Sequence, residues 1–230
     1  MPVDYTDIQN PFYLPFNKQL FEDTVVSIKP FHNDKTSHKF AKLWANRLSY
    51  FDKELESKEL NYQFEHYATM MYLHNEIPSS ITINIEKTIG IITQENMSPN
   101  TFDLSLFGEI HQYSPETPIV YKHQTFAPLF TGTPIIILRS EYALGKTIVI
   151  DGSHRVSFAK VNHFKEISGI LIDDNFLLEH QLFADNWSLN YFLFSLDLHY
   201  YLIKKQVRQK KYLKSCFFEN RFLKRTSYLF

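Results

Sequence analysis

The sequence predicts an α+β protein in which a small mixed β-sheet is preceded and followed by helices. Three observations support this class. Short runs rich in Ile and Val recur between residues 80 and 173, apolar residues at helical spacing occur on both sides of them, and four of the six glycines cluster between Gly132 and Gly169. Hydrophobic residues make up 44% of the chain and charged residues 21%, a balance typical of a globular protein with a sizeable core.

The first third of the chain is predicted to be mostly helical after an irregular start. Residues 1–35 hold four prolines among aromatic residues, which predicts an extended segment. From Ser37 to Leu55, apolar residues recur every three or four positions, which predicts an amphipathic helix capped by Thr36 or Ser37. A second helix is predicted from Leu60 to about His74.

Two or three antiparallel strands are predicted within residues 80–113. Ile81, Ile83 and Ile85 alternate with polar residues, as expected for a half-buried strand. The β-branched run at 89–93 and the alternating apolar residues at 102–106 predict the remaining strands.

The second half of the chain predicts a strand–strand–helix–strand order followed by helices. Residues 134–138 and 147–150 are compact apolar runs, residues after Gly152 have helical spacing, and Gly169 opens a third apolar run. From Phe176 onward the pattern is helical, with Asn186 or Ser188 as the start of the last helix. No Gly/Ser/Pro linker divides the chain, so residues 1–230 are predicted to form one compact unit. Within it, residues 1–79 form the N-terminal extended segment and helices, residues 80–173 the sheet, and residues 174–230 the C-terminal helices with a basic tail.

The segment that points to chemistry is Asp151-Gly152-Ser153-His154-Arg155, which follows an apolar strand and begins a helix. Glycine permits a tight turn, and the first turn of a helix presents backbone N–H groups without intrahelical partners. Arginine's planar fork suits phosphate oxygens. Simpler roles are open to the same residues: Arg155 could pair with a carboxylate, His154 could make a structural hydrogen bond, and Asp151 could cap the helix.

This segment and its surroundings resemble the ParB/sulfiredoxin superfamily. The resemblance covers residues 131–173: a Gly132-Thr133-Pro134 start to an apolar strand, a second strand, the 151–155 turn into a helix, and a third strand at 169–173. It implies a fold in which the turn holds nucleotide phosphates. Ser153 stands where sulfiredoxins have cysteine, so sulfinic acid repair is not expected.

The resemblance implies a nucleotide ligand, ATP or CTP with Mg²⁺, and suggests Mg-dependent phosphoryl transfer or NTP hydrolysis as the reaction. The nucleotide would be bound by six residues, with its phosphates on the 151–155 turn: Gly132, Thr133, Gly152, Ser153, His154 and Arg155. A carboxylate would orient the nucleophile, and the candidates are Asp151 and two glutamates upstream of the motif, Glu109 and Glu116. Whether the nucleotide is turned over stays open at this point.

A basic C-terminal tail supports an alternative, a DNA-associated regulatory or partition-like protein that binds a nucleotide or a DNA phosphate at the same turn. Residues 204–230 hold nine basic residues and one acidic residue, a net charge of +8, so the other 203 residues carry −9. Such a tail favours an anionic partner. A further alternative is a catalytically inactive interaction scaffold. The nucleic-acid contacts are assigned to Lys204, Lys205, Arg208, Lys210 and Lys211.

Other classes of site are not indicated by the sequence. There is no HExxH motif, no GxGxxG and no GxxxxGK[ST], so no dedicated metal site, Rossmann site or Walker P-loop is predicted. The N-terminus lacks the pattern of a signal peptide, and no apolar run reaches the length of a membrane span. With Cys216 as the only cysteine, a reducing compartment and a cytoplasmic location are expected.

Overall fold

A computed structural model describes residues 15–57, 64–73, 77–107, 119–121, 124–126, 133–140 and 146–207. The fold class is α+β, as predicted. Its elements follow one another as α1 (Lys18–Ile28), α2 (Asp34–Ser57), β1 (His66–Leu73), β2 (Ile77–Asn84), α3 (Ile85–Gln94), β3 (Asn100–Asp103), a 3₁₀ helix (Leu104–Leu106), β4 (Ile119–Tyr121), β5 (Gln124–Phe126), β6 (Ile135–Ser140), β7 (Lys146–Asp151), α4 (Ser153–Val161), β8 (Glu166–Asp173), α5 (Asp174–Glu179) and α6 (Asn186–Val207).

The described residues belong to two compact units. Unit 1 contains those of Glu59–Thr69 and Thr82–Ala184, and unit 2 contains those of Leu14–Lys58, Met70–Ile81 and Asp185–Phe230. Each unit is described separately below. The organisation predicted from the sequence, one compact unit with parts at residues 1–79, 80–173 and 174–230, stays a prediction.

Unit 1 is built on a four-stranded mixed sheet with the order β3-β8-β6-β7. β3 pairs antiparallel with β8, β8 runs parallel to β6, and β6 pairs antiparallel with β7. The two central strands are β6 and β8, and four of the six residues of β6 are consecutive buried apolar residues. A parallel central pair covered by helices favours such apolar runs.

A β-bulge lies beside the predicted phosphate turn. Ile136 is opposite Asp151 whereas Ile137 is opposite Val149, so the register shifts at the end of β7. Bulges bend a strand and redirect its side chains. This bulge therefore sets the direction in which the chain leaves β7 and enters the turn.

The core of unit 1 places α4 against the sheet. Ile135 and Ile137 of β6 pack with Val156 and Ala159 of α4, and Ile167 of β8 completes the contact together with Leu104. Because the helix is fixed by this apolar contact, its N-terminus and the turn before it are held by the sheet.

Unit 2 has an aromatic core formed by α1, α2 and α6. The hub is Phe194 of α6, whose ring centroid lies 4.7 Å from that of Phe21 and 5.7 Å from that of Trp44. Tyr191 and Phe40 surround the same ring at 5.8 and 6.2 Å. Much of the high aromatic content of unit 2 is therefore used for packing.

Several predicted elements are confirmed. The helix from Ser37 to Leu55 is α2, although it begins earlier, at Asp34, where Asn33 accepts a hydrogen bond from the Lys35 N–H at 2.8 Å. The apolar runs of the second half form the strands β6, β7 and β8. The last helix, α6, begins at Asn186, which is one of the two start positions predicted from the sequence.

The prediction of an extended segment over residues 1–35 is wrong for its second half, which contains α1. Asn17 caps this helix by accepting a hydrogen bond from the Leu20 N–H, and Phe21, Thr24 and Val25 form its buried face. Pro15 and Pro30 lie on either side of the helix, so neither interrupts it.

In two further segments the predicted type of secondary structure is wrong: one predicted helix is a strand, and one predicted strand is a helix. The segment predicted as a helix from Leu60 to about His74 contains β1, which pairs with β2. The run at 89–93, predicted as a strand, lies in α3, because the side chain of Asn84 caps that helix and its buried residues Ile85, Thr88 and Ile92 share one helical face. Tertiary pairing and capping overrode local propensity in both places.

The strand predicted over residues 102–106 ends earlier than expected. β3 stops at Asp103, whose carboxylate accepts a hydrogen bond from the Ser105 N–H at 2.8 Å and starts the 3₁₀ helix. Within the described ranges, no helix combines the length and apolar character needed to cross a membrane.

Candidate functional site

The turn between β7 and α4 is formed by Gly152 in a left-handed conformation, with φ of 91°. A Cβ at this position would lie 2.6 Å from Cγ2 of Ile135 and 2.7 Å from Nη2 of Arg155. Only glycine fits here without displacing a buried core side chain and the arginine that folds back over the turn.

The N-terminus of α4 has two features that favour an anion. Gly152 occupies the N-cap position and has no side chain to accept a hydrogen bond from the first turn, where serine, threonine or aspartate usually does so. Residues 151–155 are all half-buried, so the turn is neither in the packed core nor fully exposed. Backbone N–H groups in such a position, at the positive end of a helix, favour an anion.

Arg155 lies against Asp151 across this turn. Its Nη2 donates to Oδ2 of Asp151 at 2.7 Å, with side-chain exposures of 16% and 20%. The pairing of Arg155 with a carboxylate, which the sequence left open, is therefore present. It uses one of the five N–H donors of the guanidinium, and the buried Nε of Arg155 has no hydrogen-bond partner among the residues described. The guanidinium is thus held in place over the turn by its ion pair with Asp151.

His154 and Ser153 occupy the first turn of α4 beside Arg155. Burial lowers the pKa of His154 below its ordinary value, so the neutral imidazole is favoured near neutral pH. Of the two basic side chains in the motif, Arg155 is the one that supplies positive charge at the turn.

The carboxylate of Glu65, which was not predicted from the sequence, interacts electrostatically with the site. Its backbone carbonyl accepts hydrogen bonds from the N–H groups of Ile85 at 2.9 Å and Glu86 at 3.4 Å, which tie it to the start of α3. Glu65 is exposed, but partial desolvation by the neighbouring protein raises the pKa of its carboxyl, the carboxylates of Asp151 and Glu86 raise it further, and Arg155 lowers it. Glu65 lies 86 positions before Asp151 in the sequence. It directly precedes β1, a segment that the sequence predicts as a helix, so no local pattern links Glu65 to the turn.

The other predicted carboxylates and one member of the predicted phosphate site cannot be placed. Glu109, Glu116 and Gly132 lie outside the described residues. Thr133 is described and is exposed just before β6. The residues of the site that the structure brings together are therefore Asp151, Gly152, Ser153, His154 and Arg155.

The residues assigned to nucleic-acid binding fall at the end of α6 and beyond it. Lys204 and Lys205 lie in the last turn of α6, where positive charge stabilises the helix. The Nζ of Lys204 lies 4.5 Å from the ring centroid of Tyr200, and the Nζ of Lys205 donates to the carbonyl of Lys29 at 2.6 Å. Arg208, Lys210 and Lys211 lie outside the described residues.

Within the described regions of the chain, no group of three or more His, Cys, Asp or Glu side chains is arranged to hold a metal ion. Mg²⁺ that accompanies a nucleotide is held largely by phosphate oxygens and water, so it does not require such a group.

Comparison with known proteins gives no relative from which a function could be transferred. No family model matches the chain, and neither the curated proteins nor the solved structures give a match. The class that the structure defines is thus an α+β protein with a mixed four-stranded sheet and a glycine turn at the start of a helix. The ParB/sulfiredoxin resemblance stays a prediction.

Proposed function

We propose that the protein binds a nucleotide with its phosphates on the 151–155 turn. The observation that carries this proposal is the combination of the left-handed Gly152, the α4 N-terminus without a side-chain cap, and Arg155 held over the same turn. Together they provide backbone donors and a fixed guanidinium for anionic oxygen.

The arrangement also supports a choice of ligand class. A phosphate group can accept hydrogen bonds from backbone N–H groups and from a guanidinium at once. The sequence resemblance adds the nucleotide, ATP or CTP with Mg²⁺, and the reaction, phosphoryl transfer or NTP hydrolysis. Among the described residues, Asp151 lies in the turn and Glu65 interacts with it electrostatically, and either carboxylate could orient a nucleophile.

Arg155→Ala is expected to weaken binding of Mg-ATP or Mg-CTP about 10- to 100-fold, because charge-assisted hydrogen bonds contribute about 1.5–3 kcal/mol each. Isothermal titration calorimetry on the full chain measures this loss, and circular dichroism checks that the variant is folded. Arg139→Ala is a matched control, since Arg139 is an exposed arginine on β6. Unchanged nucleotide affinity in folded Arg155→Ala would contradict the proposal.

The nucleic-acid alternative is supported by the charge of residues 204–230. It predicts DNA binding that weakens steeply with added salt. The third alternative, an interaction scaffold, predicts that no nucleotide raises the melting temperature. A cytoplasmic location is proposed for the protein under each of these three functions.

A further inference from the structure

The exposed side of α2 in unit 2 carries a row of lysines. Lys35, Lys39, Lys42 and Lys53 are all exposed. At about 100° per residue, they fall within an arc of about 60° around the helix. From Lys35 to Lys53 the row is about 27 Å long, since a helix rises about 1.5 Å per residue. The buried face of α2, centred on Trp44, lies on the opposite side of the helix.

The neighbouring helix α1 adds a fifth lysine. The Nζ of Lys18 donates a hydrogen bond to Oδ1 of Asn46 at 2.6 Å. Asn46 is exposed and lies on the same arc of α2, between Lys42 and Lys53. The ammonium of Lys18 therefore lies in the interval between these two lysines. The five residues that we call the lysine row are Lys18, Lys35, Lys39, Lys42 and Lys53.

The charges of the lysine row are not balanced within α2. No Asp or Glu occurs three or four positions before or after Lys35, Lys39 or Lys42. At these spacings opposite charges stabilise a helix, and like charges, as here, destabilise it. A face that serves only solubility usually mixes both signs. Among the exposed residues described on α2, Asp34 is the one acid, and the Nζ of Lys29 lies 3.7 Å from its Oδ1. A row that destabilises its own helix is favoured by an anionic partner that compensates for the repulsion.

The basic tail of the chain begins at one end of the lysine row. In the last turn of α6, the Nζ of Lys205 donates to the carbonyl of Lys29 at 2.6 Å. Lys29 in turn pairs with Asp34, the residue directly before Lys35. The segment 204–230, with its net charge of +8, therefore starts beside the N-terminal end of α2.

We propose that the lysine row binds the phosphate backbone of a nucleic-acid duplex. A surface about 27 Å long spans about eight base pairs at about 3.4 Å per pair, so it faces phosphates along its whole length. Lysine is a point charge on a flexible stem, and contacts to phosphate carry no base information. Binding is therefore expected to be independent of base sequence. The row belongs to unit 2, so the inference does not depend on the nucleotide proposed for the 151–155 turn.

Other anionic partners fit the lysine row less well. A helix that lies on a membrane inserts its apolar face among the lipids, whereas Phe40 and Trp44 of α2 are buried in the protein. Single strands are bound by a series of aromatic rings that stack on the bases, and Tyr50 is the one exposed aromatic residue described on α2. A duplex presents its charges along a straight rod, as the row does.

Fluorescence anisotropy of a labelled DNA duplex of about 20 base pairs measures binding to the full chain at salt concentrations from about 50 to about 200 mM. We expect two duplexes of unrelated sequence to bind equally. Lys35→Gln combined with Lys42→Gln is expected to weaken binding. The slope of log K against log salt becomes less steep by about 2, because each phosphate contact contributes about 0.9. Glutamine and lysine favour helices about equally, so circular dichroism and thermal melting are expected to show an intact fold.

Lys87→Gln combined with Lys165→Gln is the matched control, because it removes two exposed lysines of unit 1 and changes the net charge by the same amount. It is expected to leave the salt slope nearly unchanged. If both double variants changed the slope equally, or if neither did, the lysine row would not be the binding surface. The inference would also be overturned by a chain that binds no duplex at about 50 mM salt. Binding to phosphatidylcholine–phosphatidylserine vesicles or to poly-glutamate, but not to the duplex, would overturn it as well and assign the row to that partner.

Discussion

Gly152→Ala is expected to lower the free energy of unfolding by about 3 kcal/mol. The left-handed conformation costs a side-chain-bearing residue about 1–3 kcal/mol, and the new Cβ would meet Cγ2 of Ile135 at 2.6 Å. For a chain of this size, the melting temperature is expected to fall by about 6–12 °C. Urea denaturation and thermal melting measure the two quantities.

Gly90→Ala is the matched control for this change. Gly90 lies within α3, and an added Cβ there would have nothing within 4 Å. Alanine favours a helix interior over glycine by up to about 1 kcal/mol, so this variant is expected to be more stable than the wild-type protein. If Gly152→Ala and Gly90→Ala lowered the free energy of unfolding equally, position 152 would not have the specific requirement for glycine that we infer.

Phe194→Ala is expected to destabilise the protein by about 4 kcal/mol, the largest effect predicted for a single side chain. Phe194 is fully buried and contacts four aromatic rings from three helices of unit 2. Its removal leaves a cavity that rigid neighbouring rings cannot fill. The unfolding free energy from denaturant titration measures the loss.

Tyr50→Ala is the control for the loss of an aromatic ring. Tyr50 lies on α2 with 67% of its surface exposed, and its replacement is expected to change stability by less than about 1 kcal/mol. If Phe194→Ala were as mild as Tyr50→Ala, the aromatic cluster would not be the core of unit 2.

The strands and helix around the turn could be predicted from the sequence because local signals agree with tertiary structure there. The apolar runs of β6 and β8 are buried, and Gly152 lies at a position that requires glycine. In α3 the local sequence signals and the tertiary structure disagree. The β-branched residues of α3 resemble a strand, and they form a helix because the cap at Asn84 and one buried face outweigh propensity.

The candidate site was predictable only where it is local in sequence. Asp151 to Arg155 lie within five residues, so their chemistry could be read together. The backbone of Glu65 is tied to the start of α3, and its carboxylate interacts electrostatically with Asp151 and Arg155. An interaction of that kind depends on tertiary structure, and a single sequence carries no pattern that records it.

The most direct test of the central claim is an NMR titration that follows the backbone amides of the turn. On addition of Mg-ATP or Mg-CTP, we expect the largest chemical-shift changes at the backbone N–H groups of residues 153–155, and in Arg155→Ala we expect these changes to need about 10- to 100-fold more nucleotide. Saturable binding that shifts amides elsewhere and leaves these three unchanged would contradict the claim that this turn holds the phosphates.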